Sequence, residues 1–157
     1  MKVRIYTDGA CSENPGPGGW ASVWVSDNNI KVNSGCNPKT TNNQMELTAV
    51  VVSLRRISSG NKSQEYEVYS DSAYVVNSIN NNWVDRWMLN DWKTSKGDDV
   101  KNVELWMECL RLLSKIRQSG VKITFIKVKG HSGDTLNEYA DEIAKKEVLN
   151  ARKAGTT

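Results

Sequence analysis

Three strand-like runs precede the first helix-like one, and from there helices and strands alternate to the end of the chain; this order leaves few folds open. Lys2-Val3-Arg4-Ile5-Tyr6-Thr7-Asp8 alternates apolar and polar side chains and stops on an aspartate and a glycine, the pattern of a strand that delivers a carboxylate to the edge of a sheet. A glycine-rich turn from Ser12 to Gly19 leads into Trp20-Ala21-Ser22-Val23-Trp24-Val25. A second turn, around Asp27-Asn28-Asn29, leads into Lys31-Val32-Asn33-Ser34-Gly35-Cys36. These three strands form an antiparallel meander.

Thr41 and Gln44 have the spacing of a capping box, and Leu47, Val50, Val51, Leu54 and Ile57 follow at helical spacing until Gly60-Asn61. Tyr66-Glu67-Val68-Tyr69 is a short strand that stops at Ser70-Asp71, repeating the pattern of Asp8. Tyr74, Val75 and Ile79 predict a short helix, after which the segment from Asn80 to Lys101 reads as irregular and rich in tryptophan. Asn102 is placed to cap a long helix with two adjoining apolar stripes, Val103, Trp106, Leu110 and Leu113 beside Leu105, Cys109, Leu112 and Ile116. Val121 to Val128 is the last strand. The loop Lys129-Gly130-His131-Ser132-Gly133-Asp134 holds the only histidine between glycines. Thr135 and Glu138 make a second capping box before a helix bearing Ala140, Ile143, Ala144 and Val148. The expected fold is therefore α/β: a five-stranded mixed sheet with an antiparallel three-strand edge and helices on both faces. One domain is expected over residues 1–150, with 151–157 a disordered tail.

The longest apolar runs are only a few residues, so no membrane span fits, and the charged start Met1-Lys2-Val3-Arg4 lacks the apolar stretch of a signal peptide. Cys11, Cys36 and Cys109 are odd in number and far apart, with no Cys-x-x-Cys pair, which favours a reducing cytoplasmic setting. The 21 basic residues outnumber the 18 acidic ones. If four acids are committed to cations, 14 remain against 21, and the surface beyond them leans towards a polyanionic partner.

Those four are Asp8 and Asp71, each at a strand end, and Glu46 and Asp141, each in the first turns of a capped helix. Strand ends and helix starts are where α/β sheets assemble their sites. Gathered together, four carboxylates would repel one another unless cations neutralised them. All-oxygen ligation suits Mg²⁺ or Mn²⁺, and two such ions ~4 Å apart can stabilise both the attacking and the leaving oxygen of a phosphodiester. Taken singly, each acid has an ordinary alternative: an aspartate after a strand is a common turn residue, and a glutamate early in a helix complements its dipole.

The blocks Thr7-Asp8-Gly9-Ala10-Cys11, Thr41-Asn42-Asn43-Gln44-Met45-Glu46-Leu47, Ser70-Asp71-Ser72, Trp92-Lys93-Thr94, Val100-Lys101-Asn102-Val103-Glu104-Leu105-Trp106 and Val128-Lys129-Gly130-His131-Ser132-Gly133, with Asn137, Glu138 and Asp141, closely resemble type 1 ribonuclease H. The resemblance runs in the family's order from about Lys2 to Val148. It implies a ribonuclease H-like fold and a monomeric endonuclease that cuts the RNA strand of RNA/DNA hybrids, leaving 5′-phosphate and 3′-hydroxyl ends, in removal of RNA primers and hybrids during replication and repair. It implies Asp8, Glu46, Asp71 and Asp141 as catalytic ligands of two Mg²⁺ ions, with Mn²⁺ a possible substitute. It also implies His131 in proton transfer or product release, and Asn137, which lies one turn before Asp141, in support of the site.

For the substrate, the resemblance places Cys11, Asn14, Asn42 and Asn43 against the minor groove, where 2′-hydroxyls distinguish RNA from DNA. Asn14 is also a natural turn former before Pro15, and Asn42 and Asn43 a natural helix start. Lys39, Thr41 and Asn102 match the family's pocket for a DNA-strand phosphate. Trp83, Trp87 and Trp92 fall in the family's substrate-binding handle, with core packing the alternative for each, for Trp92 above all. The handle departs from the strongly basic pattern: from Asn80 to Lys101, Arg86, Lys93, Lys96 and Lys101 are offset by Asp85, Asp91, Asp98 and Asp99. Asn80-Asn81-Asn82 is one residue longer than usual, and Ala73 replaces a larger side chain. Weaker and less salt-sensitive hybrid binding is the expected result. Two rivals share the motifs: a catalytically silent hybrid-binding module, against which the retained acids count, and another nuclease on the same fold.

Overall fold

A computed structural model of the chain describes residues 2–60, 65–129 and 134–155. The described residues form five strands, β1 (Lys2–Cys11), β2 (Gly16–Ser26), β3 (Asn29–Thr40), β4 (Glu65–Ser70) and β5 (Lys122–Lys127), and five helices, α1 (Asn42–Ser59), α2 (Ala73–Asn80), α3 (Trp83–Leu89), α4 (Val103–Gln118) and α5 (Thr135–Gly155). The sheet order is β3-β2-β1-β4-β5. The β1–β2 and β2–β3 pairs are antiparallel, and β1–β4 and β4–β5 are parallel. This is the mixed sheet with an antiparallel edge that the order of elements predicts.

β1 lies in the middle and is covered on both faces, so its residues from Ile5 to Asp8 are all buried. On one face Ile5, Val68 and Phe125 meet Leu47, Val50, Val51 and Leu54 of α1 and Cys109, Leu112, Leu113 and Ile116 of α4. On the other, Tyr6 and Val23 meet Ala140 of α5, with Leu136 and Ile143 beside them. Tyr6 also stacks on Tyr69 across the parallel pair, ring centroids 4.7 Å apart. Trp106, fully buried, is where three helices meet: its Nε1 donates to the Tyr74 hydroxyl of α2 at 2.8 Å, and Trp87 of α3 packs against its ring at 5.9 Å.

The structure departs from the sequence expectations in five places. Asp8 is not at a strand end, because β1 continues to Cys11, paired with Gly18 of β2. The parallel ladder to β4 stops earlier, at Thr7 and Ser70, so Asp8 is at an end only on its β4 side. The turn from Ser12 to Gly19 is shorter than expected, since β2 already begins at Gly16. Gly19 is a strand residue where α5 comes so close that a Cβ would lie 2.5 Å from the Ala144 carbonyl oxygen. The irregular tryptophan segment contains α3 and then a small hairpin closed by an antiparallel bridge between Lys93 and Asp99. Asn102 precedes α4 in the left-handed region (φ 58°) and its side chain makes no cap, because its amide instead donates to the Tyr74 hydroxyl at 3.2 Å.

The fifth departure concerns α5. Its cap is Asp134, whose Oδ1 accepts from Leu136 N at 3.1 Å and Asn137 N at 3.3 Å; Thr135, expected to cap, is already the first helical residue. An aspartate one position earlier satisfies the same free N–H groups and adds charge complementary to the helix dipole. At the other end α5 runs past residue 150 to Gly155, with Ala151 fully buried, so the expected disordered tail is helical through Gly155. Among the described residues no helix is long and apolar enough to cross a membrane.

Candidate active site

The step between β1 and β4 creates the site. Past Thr7 the ladder to β4 has ended, and the Gly9 N–H donates instead to Glu46 Oε1 of α1 at 2.9 Å. That bond needs α1 almost in contact with β1, and a Cβ on Gly9 would sit 2.4 Å from Glu46 N and 2.6 Å from the Met45 carbonyl carbon. Only glycine fits such a backbone-to-backbone approach. The start of α1 is held by two side-chain oxygens: Thr41 Oγ1 accepts from Gln44 N at 3.1 Å, and Asn14 Oδ1 accepts from Asn42 N at 3.0 Å. The first is the expected cap. The second links the turn after β1 to the helix.

Asp8 from β1, Glu46 from α1 and Asp71 from the residue after β4 each bring a carboxylate oxygen within 4.8 Å of the others. Asp8 and Glu46 are buried, at 3% and 4% exposure, and Asp71 is half-buried. Glu46 Oε2 is buried with no hydrogen-bond partner among the described residues. Burial, reinforced by the charge of Asp71 and by Asp141, pushes the Asp8 carboxyl up to about 7, even though its hydrogen bond with Glu46 works the other way. Burial, and next the charge of Asp8, holds Glu46 well above the usual carboxylate range. Burial disfavours the charged form of a carboxyl, and neighbouring carboxylates add to the effect.

Asp141, on α5, is the fourth carboxylate and lies beside the three rather than among them. It contributes a hydrogen bond and its charge to the environment of Asp8, and its Oδ2 is 2.9 Å from Lys145 Nζ one helical turn on. Asn137, a turn before it, is buried and its Oδ1 has no partner among the described residues. Sequence reasoning missed Lys145, whose i,i+4 spacing from Asp141 is a readable signal, and the Gly9 N–H, which is not readable from residue type. His131 lies outside the described residues.

The other expected contacts fall in two groups. Cys11, half-buried, has its Sγ 3.4 Å from the Thr40 carbonyl oxygen, and Asn42 and Asn43 are exposed on the first turn of α1. Lys39 is exposed near the end of β3, next to Thr40 and Thr41. Asn102 lines a depression of about 260 Å³ with Gln44, Val103, Glu104 and Leu105, and neither Lys39 nor Thr41 is part of that lining. Farther off, Trp83 and Trp87 line a groove of about 540 Å³ with Arg86, Asn90, Lys93, Thr94 and Ser95. Trp92 is half-buried against the core, as its packing alternative had it.

The sequence profile of the RNase H family matches residues 1–149. The chain belongs to the ribonuclease H family. It is 48% identical over 151 residues to Ribonuclease H of Caldicellulosiruptor saccharolyticus, covering 96% of this chain and 99% of that one. It is also 48% identical over 152 residues to Ribonuclease H of Acetivibrio thermocellus, covering 97% and 98%. Among solved structures, LC9-RNase H1, a type 1 RNase H with the type 2 active-site motif, superposes with a TM-score of 0.79 at 27% identity, covering 96% of this chain and 73% of that one. LC11-RNase H1 in complex with RNA/DNA hybrid shares the fold at a TM-score of 0.69 and 23% identity, covering 95% and 98%. The chain is thus a ribonuclease H enzyme, of a metal-dependent family, and it carries an acidic cluster at the step in its sheet.

Proposed function

We propose that this ribonuclease H hydrolyses the RNA strand of RNA/DNA hybrids endonucleolytically, with two Mg²⁺ ions, giving 5′-phosphate and 3′-hydroxyl ends. The observation that carries the reading is the buried cluster of Asp8, Glu46 and Asp71, with an unpartnered oxygen on Glu46. The donor set fits a hard divalent ion: every ligand is oxygen, and the two buried acids are raised first by burial and next by neighbouring carboxylates. Bound divalent ions supply positive charge beside these acids and the Lewis acidity that phosphodiester hydrolysis requires.

The chain's own residues position and neutralise. Asp8, Glu46 and Asp71 hold the cations at a fixed place, because a central strand, a capped helix and a strand end set their backbones. Asp141 adds a fourth carboxylate from the opposite face of the sheet, and Asn137 orients that side of the site. His131 is assigned proton transfer or product release. Cys11, Asn14, Asn42 and Asn43 meet the minor groove of the hybrid, with Asn14 serving the helix start as well. Lys39, Thr41 and Asn102 take a phosphate of the DNA strand, and Trp83 and Trp87 flank its backbone. LC11-RNase H1, which shares the fold, is known in complex with RNA/DNA hybrid, and this supports the same substrate here.

Incubating labelled RNA/DNA hybrid, RNA duplex and DNA duplex with Mg²⁺ and with EDTA tests the reading. Only the hybrid is cut, only in its RNA strand, and only with metal. Cleavage of the DNA duplex, or full activity of Asp71→Asn, would overturn it.

A further inference from the structure

The groove between α3 and the following hairpin has the chemistry of a nucleic-acid backbone site: two tryptophan faces, the cations of Arg86 and Lys93, and the small polar groups of Asn90, Thr94 and Ser95. Lys93 already has an anion. Its Nζ is paired with Asp99, and the pairing is fixed by the backbone rather than by chance on the surface. Lys93 and Asp99 face each other in an antiparallel bridge. The turn between them is closed by Thr94 N to Asp98 O at 2.8 Å, Gly97 N to Thr94 O at 2.9 Å and Asp98 N to Thr94 Oγ1 at 3.2 Å. Its base is anchored by Val100 N to Trp92 O at 3.0 Å, with Val100 buried and Trp92 half-buried against the core. Directly opposed residues on neighbouring strands stay within reach of each other.

Resting on the function proposed above, we infer that Asp99 is an internal rival of the substrate's phosphates for Lys93, so that hybrid binding at this groove exchanges one anion for another. The exchange has a distinct electrostatic signature. A lysine that neutralises a phosphate releases a condensed counterion and steepens the salt dependence by roughly 0.7 to 0.9 in log–log slope. A lysine that must first leave a carboxylate hands that carboxylate back to solvent cations, and the two effects offset. Lys93 then contributes almost nothing to the salt slope, although it contacts the substrate. Net charge alone does not produce this result: Asp85, equally acidic and in the same segment, lines a separate groove with Met88, Met107 and Leu110.

Anisotropy of a labelled RNA/DNA hybrid in EDTA, from low to moderate KCl, reads both affinity and slope without cleavage. Asp99→Asn binds about two- to fivefold tighter, the range an exposed ion pair is worth, and its slope is steeper by roughly 0.5 to 0.9. Asp85→Asn changes neither by as much. In a Lys93→Ala background the Asp99→Asn effect disappears. Asp99 is strongly exposed, so unchanged thermal melting is expected and checks the fold. Equal effects of Asp99→Asn and Asp85→Asn, or persistence of the effect without Lys93, would overturn the inference and leave the proposed function standing. Failure of the unsubstituted protein to bind the hybrid at all would remove both.

Discussion

The carboxylate site and the tryptophan groove face the same problem, holding charged groups in place, and solve it in opposite ways. At the site, the carboxylates of Asp8 and Glu46 are packed into the sheet by β1 and α1 beside Asp71, and the cation of Lys145 sits to one side, on Asp141. In the groove, the charged lining residues are the cations Arg86 and Lys93, and Lys93 carries its own anion in Asp99. A site that must attract divalent ions gains from carboxylates gathered in a place water reaches poorly. A surface that must hold and release a long polyanion works with weak, screened contacts.

The largest expected effect comes from breaking the carboxylate side. Asp71→Asn or Glu46→Gln lowers hydrolysis of the RNA strand at least about a hundredfold in a steady-state assay. Melting curves of Asp71→Asn stay close to those of the unsubstituted chain, because Asp71 is only half-buried. A stabilising response to Mg²⁺ shrinks in both variants.

The pH dependence follows from Asp8. Its folded-state value of about 7 lies above the ordinary 3.8, so the folded protein binds the proton more tightly than the unfolded chain does. The Asp8 contribution to metal-free stability is therefore fully present below about pH 4, is lost as pH rises towards about 7 and levels off above it, by about 4 kcal/mol at most. Chemical denaturation in EDTA across this range checks the sign. Divalent cation flattens the curve by placing positive charge beside Asp8.

Gly9→Ala tests the backbone that sets this geometry. With a Cβ 2.4 Å from Glu46 N, α1 must move, and a loss of about 2 to 3 kcal/mol is expected together with most of the activity. On the groove side the two tryptophans separate. Trp87→Ala, which removes one of the two rings packed edge-on against Trp106, costs about 2 to 4 kcal/mol by urea denaturation. Trp83→Ala, at 38% exposure, stays within about 1 kcal/mol while weakening hybrid binding severalfold.

The sequence made the strand and helix order legible because apolar periodicity is imposed by the cores on both faces of the sheet. The helical positions Leu47 to Ile57 and Leu112 to Ile116 are buried as their spacing requires. The four carboxylates stand out through the motif blocks around them, and only the structure brings Asp8, Glu46 and Asp71 together with Asp141 beside them. Residue type alone could not reveal that β1 outruns β4, since a strand's length is set by its partners. Capping was legible at Thr41 and misread at Asp134 and Asn102, where two polar candidates stand side by side or a nearby hydroxyl draws the side chain away. The hairpin of Lys93 and Asp99 left no apolar alternation to read, because exposed short strands need none.

The step in the sheet also makes one proton a gauge. The Gly9 amide leaves the ladder and rests on a carboxylate that the proposed metal would share. Its hydrogen-exchange rate and its chemical shift therefore track how closely α1 is seated on β1 and how charged Glu46 is, with no substrate present. Amides of Ile5 and Val68, laddered in the middle of the sheet, exchange only through global opening and provide the internal reference. Titrating Mg²⁺ while following that single resonance separates loading of the site from any change in the stability of the fold.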